Sequence, residues 1–220
     1  FGKFESNNKK VLIEYVSSNP TGPLHVGHGR GAVFGSVLSR LLKEAGFQVD
    51  EEYYVNDFGR QMNILSASLW IRYAQIFDKN IKMLNNGYQG DYLIAIAKKL
   101  KKFRSDELYE DDEEIKSLLE NENEDAEKHT DQVIDSIKSK LSDEFSYVRD
   151  FALREILELI KEDLSEFGVD HNHWFSESEL YKSEPYDLSK VDQSIEELSH
   201  KGFVYEKEGA IWFKSSELGD

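Results

Sequence analysis

Apolar and polar positions alternate between two periods along this chain. Val11 to Val16 (VLIEYV) is a short β-branched run between Lys9-Lys10 and Ser17-Ser18-Asn19-Pro20, which predicts a buried strand. From Gly27 to about Ala45, Val33, Val37, Leu38, Leu41 and Leu42 recur at helical spacing, and Gly46 is a stop signal. Val49 to Val55 predicts a second strand, and Gln61 to Ile76 a second helix. Strand, helix, strand, helix is the opening of a parallel α/β sheet with right-handed crossovers. Asp91 to Phe103 predicts a helix, followed by an acidic run (Asp106-Glu107, Glu110 to Glu114) and helix-like sequence to Leu141.

Ser146 to Phe167 is the clearest amphipathic helix, with Val148, Ala152, Ile156, Leu159, Ile160 and Leu164 as its stripe and Gly168 as its cap. His171 to Phe175 predicts a strand. A helix starts at Asp187 or Ser189, runs through Leu198 and stops near Gly202. Two strands, Phe203 to Tyr205 and Ala210 to Phe213, flank Gly209. The expected organisation is a first part of a nucleotide-binding domain over 1–80, a solvated helical insertion over 81–145 and a return to the first domain over 146–220.

Charge and composition narrow the classes. Of 220 residues, 27 are Lys or Arg and 43 Asp or Glu, a formal net charge of −16. So acidic a chain is a poor surface for a polyanion as a whole. There are no cysteines, which excludes disulfides, thiolate metal sites and cysteine nucleophiles, and fits a cytoplasmic location. No apolar run approaches the ~18 residues of a membrane helix.

The candidate chemistry lies between the first strand and first helix, in Ser17-Ser18-Asn19-Pro20-Thr21-Gly22-Pro23-Leu24-His25-Val26-Gly27-His28-Gly29-Arg30-Gly31. Two of the three prolines and four of the fourteen glycines are here. Open α/β sheets bind ligands at the carboxyl ends of their strands, and a helix N-terminus there favours phosphate. His25 and His28 straddle the helix start, and each can donate to a phosphate oxygen. The loop suits a nucleoside triphosphate reacting at its α-phosphate. It lacks the Gly-Lys-Ser/Thr of a P-loop and the glycine spacing of the dinucleotide fingerprint.

The stretch VLIEYVSSNPTGPLHVGHGRGAVFG resembles the ATP-site signature of arginyl-tRNA synthetases, a class I aminoacyl-tRNA synthetase family. His25-Val26-Gly27-His28 matches the class I "HIGH" motif, and Ser17, Asn19 and Pro-Thr-Gly-Pro match the arginine family. Further matches are Glu52 to Gln61 (EYYVNDFGRQ, as in bacterial members), Trp174 to Ser178 (WFSES) and Gly202 to Phe213 (GFVYEKEGAIWF). The resemblance implies a partial Rossmann-like parallel sheet with a helical insertion. It implies formation of arginyl-adenylate from ATP, with Mg2+, and L-arginine, then transfer to tRNA(Arg).

Carried over position by position, His25, Gly27, His28, Gly29 and Gly31 would hold ATP, with His25 and His28 catalytic. Ser17, Asn19, His28 and Glu177 would hold arginine, Glu177 pairing with the guanidinium. The family generally needs bound tRNA to activate arginine.

Plainer roles compete with some of these. Ser17 and Asn19 also suit a turn before Pro20, and Glu177 a first-turn acid. Asn56 and Asp57 suit a turn and N-cap, and Arg30 either phosphate or a helix surface. His171-x-His173 is a possible zinc pair, but no third ligand is evident. Trp70, Trp174 and Trp212 read as core.

Nothing resembles the family's second ATP-site loop ("KMSKS"), its Tyr-x-x-x-Asp arginine contacts, its anticodon-binding domain or its small N-terminal domain. The chain therefore reads as a catalytic-domain fragment, nearly inactive alone, whose tRNA-binding surfaces lie elsewhere. Two other readings are a different His-x-Gly-His nucleotidylyltransferase and a non-catalytic synthetase-like binding module.

Overall fold

The computed structural model describes residues 4–121, 125–183 and 188–219. The chain divides into two compact units, Phe1–Phe175 and Ser176–Asp220.

In the first unit, strand β1 (Lys10–Glu14) leads into helix α1 (Val26–Glu44), strand β2 (Gln48–Val55) and helix α2 (Arg60–Ala74). β1 and β2 pair in parallel, from Lys10 opposite Gln48 to Glu14 opposite Glu52. The sheet order is β1-β2-β3, where β3 is His173–Ser176, so β2 is central. Asn172 locks the approach to β3: its N–H donates to Glu51 O at 3.1 Å and its Oδ1 accepts from Glu51 N–H at 2.7 Å. The expected parallel α/β start is therefore present. β1 itself is not the buried strand its sequence predicts. Among the described residues it has one hydrogen-bonded neighbour strand, and Leu12 is 60% exposed.

α1 packs with its small side. Ala32, Gly35, Ser36 and Ser39 are buried, while Val33, Phe34, Val37, Leu38 and Leu41 are exposed. This inverts the stripe expected from periodicity. The cause is close approach: a Cβ at Gly35 would lie 2.2 Å from Tyr15 Cγ. The helix can lie flush on the end of β1 only where it has no side chain. With Arg30, the outward residues line an open apolar groove of about 590 Å³.

The middle of the chain is helical, as expected: α3 (Asp91–Arg104), α4 (Glu113–Glu120), α5 (Ala126–Leu141) and α6 (Glu144–Glu166). These helices do not merely stand in solvent. α3, α5 and α6 pack on α2, which is buried nearly all round, from Met62 through Trp70 to Ala74. Buried polar groups find partners: Trp70 Nε1–H donates to Leu108 O at 2.9 Å and the Tyr73 hydroxyl to Ser105 O at 2.9 Å. The acidic run has local structural work. Asp112 caps α4 by accepting from Glu114 and Ile115 N–H, and Lys140 Nζ lies 3.0 Å from it. α6 buries Val148, Ala152, Ile156, Ile160 and Leu164. It ends in a Schellman turn at Gly168 (φ 75°), with Gly168 N–H on Ser165 O and Val169 N–H on Leu164 O.

The second unit holds a 3-10 turn (Glu177–Leu180), helix α7 (Lys190–His200), strands β4 (Val204–Lys207) and β5 (Ala210–Phe213), and a 3-10 turn at Ser215–Leu218. Ser189 caps α7 by accepting from Asp192 N–H at 3.1 Å. The alternative start, Asp187, lies outside the described residues. β4 and β5 pair antiparallel as their own two-stranded sheet around Glu208-Gly209, both at positive φ. Among the described residues this sheet is separate from the three-stranded parallel one. A two-residue turn returns the chain antiparallel, whereas a parallel partner needs a crossover. Trp212, expected in a core, is 51% exposed on this hairpin.

Candidate active site at the start of the first helix

The loop expected to carry the chemistry joins β1 to α1 in the first unit. Its first half is anchored to the end of β2. Tyr54 N–H donates to Ser17 Oγ at 3.0 Å, and Asn56 Nδ2 donates to Asn19 Oδ1 at 3.2 Å. Between them, the hydroxyl of fully buried Tyr53 meets Ser18. It lies 3.1 Å from Ser18 N, 2.6 Å from Ser18 Oγ and 3.0 Å from Ser18 O. Val16 (φ 67°) and Ser17 (φ 40°) are left-handed, a conformation costly for a β-branched residue and held only where neighbours over-determine it.

An aromatic floor lies beneath this turn. His171 sits over Tyr15 with ring centroids 4.2 Å apart, and its Nε2 is 3.2 Å from Tyr15 O. Tyr53 stacks on Trp174 at 4.3 Å. Burial pushes the His171 pKa down and the Tyr53 pKa up, so both groups are neutral near pH 7. His171 therefore belongs to the packing under the loop. His173 Nδ1 pairs instead with Glu52 Oε2 at 2.6 Å. Among the described residues, no group of three or more His, Asp or Glu side chains could hold a metal ion.

The second half of the loop is the N-terminus of α1. His25 is the N-cap, and its Nδ1 accepts from Gly27 N–H at 3.1 Å. His28 returns the interaction, its Nδ1 accepting from His25 N–H at 3.2 Å. This is a capping box made of two histidines. The rings stack with centroids 3.7 Å apart. A ring nitrogen that accepts from an amide carries no proton, so each neutral imidazole keeps its proton on Nε2. Both Nε2–H groups are then donors at the positive end of a 19-residue helix, whose first turn holds no acidic side chain. Burial, then the neighbouring His25, holds the His28 pKa below its ordinary value.

The glycines differ in purpose. A Cβ on Gly27 would lie 2.9 Å from His25 Cε1, so glycine there lets the His25 ring fold back on its own helix. A Cβ on Gly29 or Gly31 would meet no atom within 4 Å, so packing within the chain requires glycine at neither. Beside this end of α1 is an open groove of about 410 Å³, lined by Leu24, His25, Gly29 and Ala32 and, from the end of α6, by Asp163 and Phe167.

Thus Ser17, Asn19 and His25 lie on the β1–α1 connection, and Gly27, His28, Gly29 and Gly31 on the first turns of α1 that follow it. Glu177 opens the 3-10 turn of the second unit and is half-buried. Asn56 proves to be a partner of Asn19, and Gly59 (φ 86°), not Asp57, is the N-cap of α2. The sequence reading missed Tyr53, Tyr54 and Tyr92, whose hydroxyl donates to Thr21 O. The available signal was their position: two lie where β2 ends beside β1. Nothing in the sequence pointed to Tyr92.

The family of class I tRNA synthetases specific for arginine (R), catalytic domain, matches residues 2–220. The chain belongs to this family. Arginine--tRNA ligases of Hydrogenovibrio crunogenus and Coxiella burnetii are similar to it, at 47% and 44% identity over 96% and 100% of the chain. The chain spans 37% of the length of each. Among solved structures, a Campylobacter jejuni arginyl-tRNA synthetase superposes with a TM-score of 0.77 at 30% identity, covering 100% of this chain and 41% of that one. The Thermus thermophilus arginyl-tRNA synthetase shares the fold, with a TM-score of 0.55 at 19% identity, covering 98% of this chain and 32% of that one. The resemblance read from the β1–α1 loop is therefore borne out, and so is the class I synthetase fold. No helix among the described residues is long and apolar enough to cross a membrane.

Proposed function

We propose that the protein of which this chain is a part is an arginine–tRNA ligase. It activates L-arginine with ATP to arginyl-adenylate and transfers the arginyl group to tRNA(Arg), in the cytoplasm. The observation that carries this reading is the paired histidine cap. Two imidazoles are fixed by their Nδ1 atoms, and two Nε2–H donors are left at a helix N-terminus.

In this reading the arginine carboxylate attacks the α-phosphorus of ATP and pyrophosphate leaves, so no side chain acts as a covalent nucleophile. Negative charge builds on the phosphate oxygens as phosphorus becomes five-coordinate. His25 and His28 donate to those oxygens, and one such preorganised donor is typically worth ~2.7–4 kcal/mol. The bare helix face at Gly29 and Gly31 lets a planar base lie against the backbone. Ser17, Asn19 and His28 hold arginine, and Glu177 pairs with the guanidinium, whose planar fork matches two carboxylate oxygens. Mg2+ would arrive bound to the triphosphate. Residues 1–80 and 146–220 serve as parts of the catalytic domain, with 81–145 as a helical insertion between them. tRNA binds mainly through parts of the protein beyond this chain.

The test is arginine-dependent ATP–pyrophosphate exchange by the full-length protein with tRNA(Arg) present. His28→Ala should lower the rate roughly 10²–10³-fold, a larger loss than its weakening of arginine binding. Exchange supported equally by other amino acids, or unaffected by His28→Ala, would sink the reading.

A further inference from the structure

The Tyr53 hydroxyl occupies a place in the site that the carried-over residues do not explain. A phenol has one proton and two lone pairs. Here all three are committed to a single residue: it donates to Ser18 O and accepts from Ser18 N–H and Ser18 Oγ–H. The geometry points to Tyr53 as a positioning residue for arginine binding, acting through Ser18 on Ser17 and Asn19. This rests on the functional reading above.

The argument is one of constraint. The turn bends at Val16 and Ser17, both at positive φ, and such a bend relaxes unless something holds it. Tyr54 N–H bonds to Ser17 and Asn56 to Asn19, one on each side of Ser18. Among the described residues, Tyr53 fixes both the N–H and the carbonyl of the residue between, and so bears on the backbone of both flanks. It is itself immobile: its side chain is fully buried and its ring stacked on Trp174. Removing the hydroxyl should let the turn relax and misplace Ser17 and Asn19 without touching His25 or His28, which are capped on α1.

The experiment uses the full-length protein with tRNA(Arg), measuring pyrophosphate exchange and thermal unfolding. Tyr53→Phe keeps the ring and deletes the hydroxyl. Tyr73→Phe is the matched control, because Tyr73 is equally buried and its hydroxyl serves a backbone carbonyl, Ser105 O, away from the loop. Both variants should lower Tm. Only Tyr53→Phe should raise the arginine KM, by about tenfold, with a smaller change in the ATP KM. If the two variants leave the arginine KM alike, Tyr53 is structural only and the assignment is overturned. Should Tyr53→Phe fail to fold, Ser18→Ala, which deletes one of the three bonds, must still raise the arginine KM; an unchanged value overturns the assignment. A wild-type protein lacking arginine-dependent exchange would overturn the functional reading, and this assignment with it. Wild-type activity with an unaltered KM in Tyr53→Phe overturns this assignment alone.

Discussion

His25 and His28 cap each other: His25 Nδ1 accepts from Gly27 N–H at 3.1 Å, and His28 Nδ1 accepts from His25 N–H at 3.2 Å. The helix start thus depends on the same rings that the proposed chemistry uses, through the opposite nitrogen. The two roles can be separated at position 25. Asparagine is among the best N-caps but has no donor where Nε2 would be, so His25→Asn should unfold within a few degrees of wild type. His25→Ala should lose about 1 kcal/mol of stability. In pyrophosphate exchange both should fall, by about 10²-fold or more. Full activity in His25→Asn would show that only the cap matters.

Acid should act on this pair through His28. Its folded-state pKa lies below the ordinary 6.5, from burial first and the adjacent His25 second. Between the two values the unfolded chain binds more protons there, so stability rises with pH. The contribution of neutral His28 is fully present above pH 6.5 and is lost as pH falls through the depressed value. Protonation also places an N–H where His25 N–H now finds an acceptor. Proton NMR should show the His28 ring titrating below pH 6.5, with the His25 amide shifting in step. A midpoint at or above that value would contradict the geometry.

Glu177→Gln should affect substrate choice rather than the phosphates. It removes the charge proposed to neutralise the guanidinium, so the arginine KM should rise and discrimination against citrulline, the neutral isostere, should relax. Steady-state exchange with each amino acid measures both. If another acid's substitution raises the KM and Glu177→Gln does not, the guanidinium partner is wrongly assigned.

Two glycines on α1 should respond in opposite ways. At Gly35 a methyl would meet the Tyr15 ring, and Gly35→Ala should cost roughly 1–3 kcal/mol through overpacking. At Gly31 it would meet open space, and alanine is the better helix former by up to ~1 kcal/mol. Gly31→Ala should keep or raise Tm while raising the ATP KM. Thermal unfolding beside exchange kinetics checks both, and an unchanged ATP KM would argue against a nucleotide on that face.

The β1–α1 loop was legible because its signals are local: proline and glycine placement, a histidine at the helix start, a strand before and a helix after. The amphipathic stripe of α6 was legible for the same reason. α1 was misread because periodicity locates a stripe without saying which side meets the sheet. Burying Ala32, Gly35, Ser36 and Ser39 depends on the contact with Tyr15, twenty positions before Gly35. Tyr53 was invisible as a functional residue for a similar reason. Its role is a set of bonds to Ser18 across 35 positions, and an aromatic in a strand carries no mark of where its hydroxyl goes. The middle helices looked solvated because their charges are dense, yet Leu93, Ile96, Val133 and Ile137 at helical spacing were enough to bury a face on α2.

The uncovered stripe of α1 also governs this 220-residue chain as a colloid. Val33, Phe34, Val37, Leu38 and Leu41 offer an adhesive band, while a net charge of −16 keeps molecules apart. The repulsion reaches only about 10 Å in 0.1 M salt and about 3 Å in 1 M. The band's attraction does not fade with ionic strength, and excluded salts such as sulfate strengthen it. Dilute buffer should therefore keep the chain dispersed, and salting should drive copies together along α1 well before the fold itself is lost.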